Sequence, residues 1–194
     1  MKFKTSVIII TMKQKHSICI AGASDLSHLG LDKIDSVKLF GQELAKAGFV
    51  INTATASGFS FWALKGVSEK NGVVIGFSPA SNEREHVNLY KLPIEPFSSV
   101  IYTGFGYPGR NMIMTRSSDA LIIGPGYIET FHEFMMGLEE GKLIGVWEGG
   151  WEIDEAIHDL IGKKGKSLNV IFEKDPIKLI ERMAKILDVK KSKK

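Results

Sequence analysis

Gly109-Arg110-Asn111 and the run Ser118-Asp119-Ala120-Leu121-Ile122-Ile123-Gly124-Pro125-Gly126-Tyr127-Ile128-Glu129-Thr130-Phe131-His132-Glu133 decide the fold. Residues 120–123 are apolar without a break, which suits a parallel strand buried on both faces. Gly-Pro-Gly ends the strand, and Thr130 is the expected start of a helix. A strand that turns straight into a helix N-terminus is where α/β proteins hold anions, through free amides and the positive end of the macrodipole. Arg110, arriving on the preceding helix, can add a bidentate countercharge.

Outward from this centre, apolar β-branched runs alternate with helical patterns at close intervals. Strands are predicted near 17–21, 49–53, 73–77, 99–103, 120–123, 143–147 and 169–172, and helices over roughly 33–46, 59–70, 109–116, 130–140, 154–161 and 176–187. In the first helix Asp32 is the candidate N-cap and Gly48 the stop. The pattern specifies an α/β domain, a three-layer sandwich around a mainly parallel sheet of about seven strands. Between Ser78 and Pro96 the rhythm breaks, with Pro79, Pro93, Pro96 and a charged Asn82-Glu83-Arg84-Glu85-His86 segment. That connection reads either as a functional loop or lid or as a surface excursion with a short irregular turn.

A chain of 194 residues with ordinary globular composition suits one domain, expected over 16–188, between an N-terminal extension at 1–15 and a basic tail at 189–194. The net charge of +3 owes much to that tail, which reads as a solvated end, because no basic stripe or aromatic interleaving accompanies it. No nucleic-acid partner is expected. The one cysteine, Cys19, lies in a predicted core strand and reads as an inert buried thiol, consistent with a cytoplasmic protein. Val7-Ile8-Ile9-Ile10 is too short to span a membrane, and no other run is long enough; translation could start at Met1 or at Met12.

In a doubly wound sheet the loops at the strands' carboxyl ends share one edge and form the ligand crevice. Here they are rich in glycine and hydroxyls: Gly22 and Ser24 after the first strand, Thr55, Ser57 and Gly58 after the second, Gly109 and Asn111 after the fourth, and Pro125, Gly126, Tyr127, Glu129 and Thr130 after the fifth. Such residues permit close backbone approach and hydrogen bonding to a sugar or phosphate, although tight turns alone also favour them. A nucleotide or phosphorylated small molecule is the expected ligand.

The segment from Arg110 to Glu133 resembles the Arg, Asp-Ala, Pro-Gly-Gly-x-Gly-Thr-x-x-Glu signature of the LONELY GUY (LOG) proteins, formerly called lysine decarboxylases, within the wider SLOG group. The likeness extends more loosely over residues 16 to 187, through Ile18-Cys19-Ile20-Ala21-Gly22-Ala23-Ser24 and the run from Phe49 to Gly58. It implies a Rossmann-like fold. It also implies hydrolysis of the N-glycosidic bond of nucleoside 5′-monophosphates, with Arg110 and Glu133 as the catalytic pair, and a homodimer or higher homo-oligomer. Related molybdenum cofactor carrier proteins share the fold and bind a pterin-type ligand without known turnover. No resident cofactor or metal is implied.

Tyr127 and Glu129 stand where that signature has glycine. Both side chains narrow what can dock, and a phosphate beside Glu129 would be repelled by roughly a few kcal/mol at an effective dielectric near 20, unless Arg110 or Arg116 intervenes. Glu133 is the candidate carboxylate for activating water or stabilising an oxocarbenium-like centre, and Arg110 the positioning cation. The bland alternatives are a surface residue or helix-dipole partner for Glu133, and an ion pair with Asp119 or another nearby carboxylate for Arg110. Three Glu-x-x-His spacings, at Glu83–His86, Glu129–His132 and Glu155–His158, lack the converging bundle that a metal site would need. Trp147, Trp151 and Phe61-Trp62 read as core or subunit-contact residues, and Met112, Met114, Met135 and Met136 as packing, also compatible with a dimer interface. Three readings stay open: a phosphoribohydrolase, a non-catalytic carrier or sensor of a nucleotide-like cofactor, and a scaffold whose crevice Tyr127 blocks.

Overall fold

The computed structural model describes residues 15–26, 30–162 and 169–192. The N-terminal extension before Lys15, both candidate start methionines and the last two lysines of the tail lie outside the described residues.

Among the described residues, seven strands form one parallel sheet: β1 (Ser17–Ala21), β2 (Val50–Ala54), β3 (Val73–Ser78), β4 (Ser99–Tyr102), β5 (Ala120–Ile123), β6 (Leu143–Trp147) and β7 (Val170–Glu173). The spatial order is β4-β3-β2-β1-β5-β6-β7. The chain therefore builds outward from β1 to one edge, returns, and builds outward again from β5. Because crossovers are right-handed, that reversal moves the connecting helices to the opposite face and opens a crevice between the β1 and β5 ends.

The helices segregate accordingly. Those named α1 (Gly30–Lys46), α2 (Phe59–Glu69) and α7 (Pro176–Ser192) cover one face, packing Phe40, Leu44, Phe59, Leu64 and Met183 against Ile18, Ile20, Ile51 and Ile122. On the other face, α4 (Gly106–Arg116), α5 (Ile128–Glu139) and α6 (Glu152–Gly162) bury Met114, Phe134, Ile153 and Ile157 against Cys19, Leu121, Ile123 and Ile144. Alternate strand residues thus feed two cores, which is why the central strands carry no polar face.

Several boundaries differ from the sequence expectation. α1 begins at Gly30, so Asp32 lies inside its first turn and does not occupy the N-cap position. α4 begins at Gly106 and α5 at Ile128, each earlier than expected, which moves Gly109 and Thr130 from loop or cap positions into helix. α7 runs on to Ser192, through most of the expected solvated tail.

The irregular connection holds a short helix, α3 (Glu83–Asn88), started by a reciprocal cap: the Asn82 side chain accepts from the Glu85 amide, and the Glu85 carboxylate accepts from Ser81 N–H. Its His86 is fully buried, with Nδ1 2.8 Å from Ser78 Oγ and Nε2 2.9 Å from the Pro93 carbonyl. A carbonyl only accepts, so Nε2 donates to Pro93. The histidine ties both ends of the excursion to β3. No described helix is long and apolar enough to cross a membrane.

Candidate functional site

Three loops meet at the reversal point. After β1, the Ala23 amide donates to the Pro125 carbonyl at 2.6 Å, and the Ala23 carbonyl accepts from Phe59 N–H at 2.9 Å. Ser57 Oγ donates to the Ser24 carbonyl at 2.9 Å. Gly58 sits at φ +77, and a side chain there would collide with the Ala23 and Ser24 backbone, so only glycine lets these two loops touch. Underneath, the Phe59 ring lies directly against the backbone of Gly22 and Gly124. Gly22, Ser57, Gly58 and Pro125, all read from sequence as ligand contacts, are therefore used at least in part to hold the loops to one another.

Thr55 is buried and donates to the Phe77 carbonyl at 3.3 Å. The same carbonyl, near the end of β3, accepts from Arg110 Nη1, also at 3.3 Å. One helical turn before the arginine, the Tyr107 ring centroid lies 5.5 Å from the guanidinium carbon, a cation–π contact. Arg110 is only 6% exposed, and its Nε is buried with no hydrogen-bond partner. Its neighbour Asn111 is equally buried, with Oδ1 unpartnered. The Arg110–Asp119 ion pair considered from sequence does not form. Asp119 instead accepts from the Ser17 amide and hydroxyl at 2.8 and 3.2 Å and lies 3.8 Å from His16.

Glu133, on α5, is also 6% exposed and shares the α4–α5 side of the sheet with Arg110 without a direct ion pair. Burial raises its carboxyl from 4.5 to about 7, against the pull of Arg110 and with a further push from Glu129 one turn earlier. Burial likewise lowers the Arg110 pKa, and Glu133 opposes that shift. The Cys19 thiol, fully enclosed on β1, is raised well above its usual range by burial and then by Glu133. A guanidinium and a carboxyl raised to about 7 thus sit buried on one side of the sheet, close enough to shift each other's pKa. They can orient a polar ligand and move a proton.

The α5 start has a different character. Tyr127 occupies the N-cap with extended backbone and no side-chain cap, Tyr127 and Glu129 are exposed, and Thr130 is buried against Gly126. Gly109 lines a groove of about 450 Å³ between α4 and α5 together with Met112, Arg116, His132 and Met136. Met114 is core, whereas Met112 is exposed. No group of three or more metal-ligating side chains occurs among the described residues. Sequence reasoning passed over Tyr107, Phe59 and Phe77. Tyr107 had a signal, since positions three apart share a helix face, but the other two act through packing or a backbone carbonyl.

The SLOG cluster4 family model matches residues 15–180. The chain belongs to the SLOG cluster4 family. No protein of curated function matches this SLOG cluster4 chain in sequence. Among solved structures it is similar to the molybdenum cofactor binding protein of the phototrophic bacterium Rippkaea orientalis, at 22% identity over 91% of this chain and 99% of that one, with a TM-score of 0.73. The molybdenum cofactor carrier protein of Chlamydomonas reinhardtii is 20% identical over 90% and 99% of the two chains, with a TM-score of 0.70. DNA processing protein A of Helicobacter pylori is more distant, at 17% identity over 88% and 81%, with a TM-score of 0.61. At these identities the shared property is the fold, and it is the Rossmann-like one that the SLOG resemblance implied.

Proposed function

We propose that this chain is a non-catalytic carrier or sensor of a phosphorylated, nucleotide-like cofactor, bound at the carboxyl edge of the sheet. The observation that carries the reading is Arg110, a buried guanidinium whose Nε is unpartnered beside the unpartnered Asn111 Oδ1. A buried polar atom without a partner costs about 1–3 kcal/mol, and a polar ligand removes that cost. The similar structures named for molybdenum cofactor binding and carriage support a ligand of that type. The residues fit one: Arg110 and Asn111 offer a donor and an acceptor to ring or phosphate atoms. Glu129 disfavours a phosphate docked directly on the α5 start, so Arg110 supplies the countercharge. A cytoplasmic location, inferred from the lone thiol, belongs to the same reading.

Thermal unfolding with nucleoside monophosphates and a pterin, together with mass spectrometry of any co-purified ligand, tests the proposal. The melting temperature should rise without release of free base, and Arg110→Ala should weaken binding about tenfold or more, as expected for a charge-assisted hydrogen bond. Base release that disappears in Glu133→Ala would overturn the carrier reading in favour of a phosphoribohydrolase. One observation supports that second reading: the Glu133 carboxyl, at about 7, is poised for general acid–base work.

We also propose that the protein is a homodimer joined through the α4–α5 groove, where Met112 is 46% exposed beside Met136. Light scattering should report a dimer for the native chain and a monomer for Met112→Glu. A native monomer would refute the proposal.

A further inference from the structure

On the other face of the same sheet edge, a cleft of about 340 Å³ opens between the β6–α6 turn and the starts of α1 and α7. It is separate from Arg110 and Glu133, which lie on the α4–α5 face. Its volume falls in the range of small-molecule clefts, about 300–1,000 Å³.

The back wall is aromatic. Trp147, at the end of β6, packs on Phe40 at 5.3 Å and on Phe59 at 6.0 Å, and meets Trp151 edge-on at 5.7 Å. A line of rings thus runs from the core to the cleft and ends on a half-buried indole. Two devices hold that indole in place. Asp154, itself buried, accepts the Gly149, Gly150 and Trp151 amides on one oxygen at 2.9, 3.0 and 3.1 Å. The Trp151 ring also folds back over Gly149 so closely that a Cβ there would strike it. Opposite, Leu39 remains 46% exposed, which adds an apolar wall open to the cleft.

The rim carries charges of both signs, Lys33 and Lys174 against Glu148 and Asp175. Glu148 is committed to His158 at 2.7 Å, and Asp175 caps α7 by accepting from Ile177 N–H at 2.9 Å and Lys178 N–H at 3.3 Å. Lys33 and Lys174 line the same cleft and form no ion pair among the described residues. Each carboxylate is thus held by a partner of its own, and the two lysines are left to meet an anion beside a fixed aromatic surface.

We propose that this cleft is a second ligand site, for a planar aromatic anion of mononucleotide size whose ring stacks on Trp151 and whose phosphate meets Lys33 and Lys174. Stacking on a rigid indole accepts many planar rings, because each presents a π-face, while the two lysines select for charge. The proposal stands apart from the carrier reading, since it uses neither Arg110 nor Glu133.

The test follows the indole N–H signals of the full chain, of which there are three, during titration with guanosine 5′-monophosphate. The Trp151 signal is identified by its loss in Trp151→Phe. It should shift saturably with the nucleotide and bind guanosine, which lacks the phosphate, about tenfold more weakly. Lys174→Glu, an exposed surface change, should weaken the nucleotide by about tenfold as well. Glu133→Gln should leave the titration unchanged. An unmoved Trp151 signal, equal affinity for guanosine, or loss of the shift in Glu133→Gln would each overturn the assignment.

Discussion

Gly41→Ala should destabilise the domain by about 3 kcal/mol or more, and Gly41→Val should prevent folding. In an ordinary helix interior, glycine to alanine would stabilise by about 1 kcal/mol, so the sign of the effect is diagnostic. α1 and α2 cross with glycine on both sides. A Cβ on Gly41 would land inside contact distance of the Ala63 carbonyl oxygen, and one on Gly66 inside that of the Lys38 carbonyl. Each obstacle is backbone, so no rotamer change can relieve it, and the helices must move apart. Separation would loosen the core built by Phe40, Leu44, Phe59, Leu64 and Val67, all essentially fully buried. Urea unfolding of Gly41→Ala and Gly66→Ala measures the cost. A gain in stability for either would show that the crossing is not held at this distance.

Glu133→Gln should make the protein more stable at about pH 8 by roughly 3 kcal/mol while leaving it nearly unchanged at about pH 4, below the unfolded value. The folded state keeps the Glu133 proton up to about 7, chiefly because the carboxyl is buried. An unfolded glutamate releases it near 4.3. Between those values the native state binds the additional proton, so native stability falls as pH rises through the window and is level again above it. Glutamine resembles the neutral acid and has no proton to lose, which removes the slope. Stability of the two proteins across this pH range checks the sign. A constant difference between them would mean that Glu133 is ionised in the fold throughout.

The strands were legible because their chemistry is local. Fully buried parallel strands must be continuous apolar runs, and β5 and β6 begin and end where those runs do. Helix starts were less so. Gly104, Gly106 and Pro108 look like a turn, yet the first helical turn tolerates proline because its amides lack intrahelical partners. α3 was announced by Asn82-x-x-Glu85, the spacing of a reciprocal cap, hidden by the prolines around it. At the site, the positions of Arg110 and Glu133 could be read from spacing. That Ser57 spends its hydroxyl on Ser24, or that Thr55 and Arg110 share the Phe77 carbonyl, could not, because those contacts depend on how separate loops meet in space.

The order of the strands also governs how the protein can be made. β1 leaves the ribosome before the other described strands yet ends in the middle of the sheet, with Ser17 beside Val50 on one side and Ile18 beside Ala120 on the other. Its hydrogen bond to Asp119 joins residues 102 positions apart. While β2, β3 and β4 add themselves one βα unit at a time, the opposite edge of β1 waits, apolar and unpaired, in the state most open to joining another chain. A nascent chain halted before β5 is therefore a half-sheet with its middle strand bare, and completion of the domain depends on the longest loop closure in its sheet.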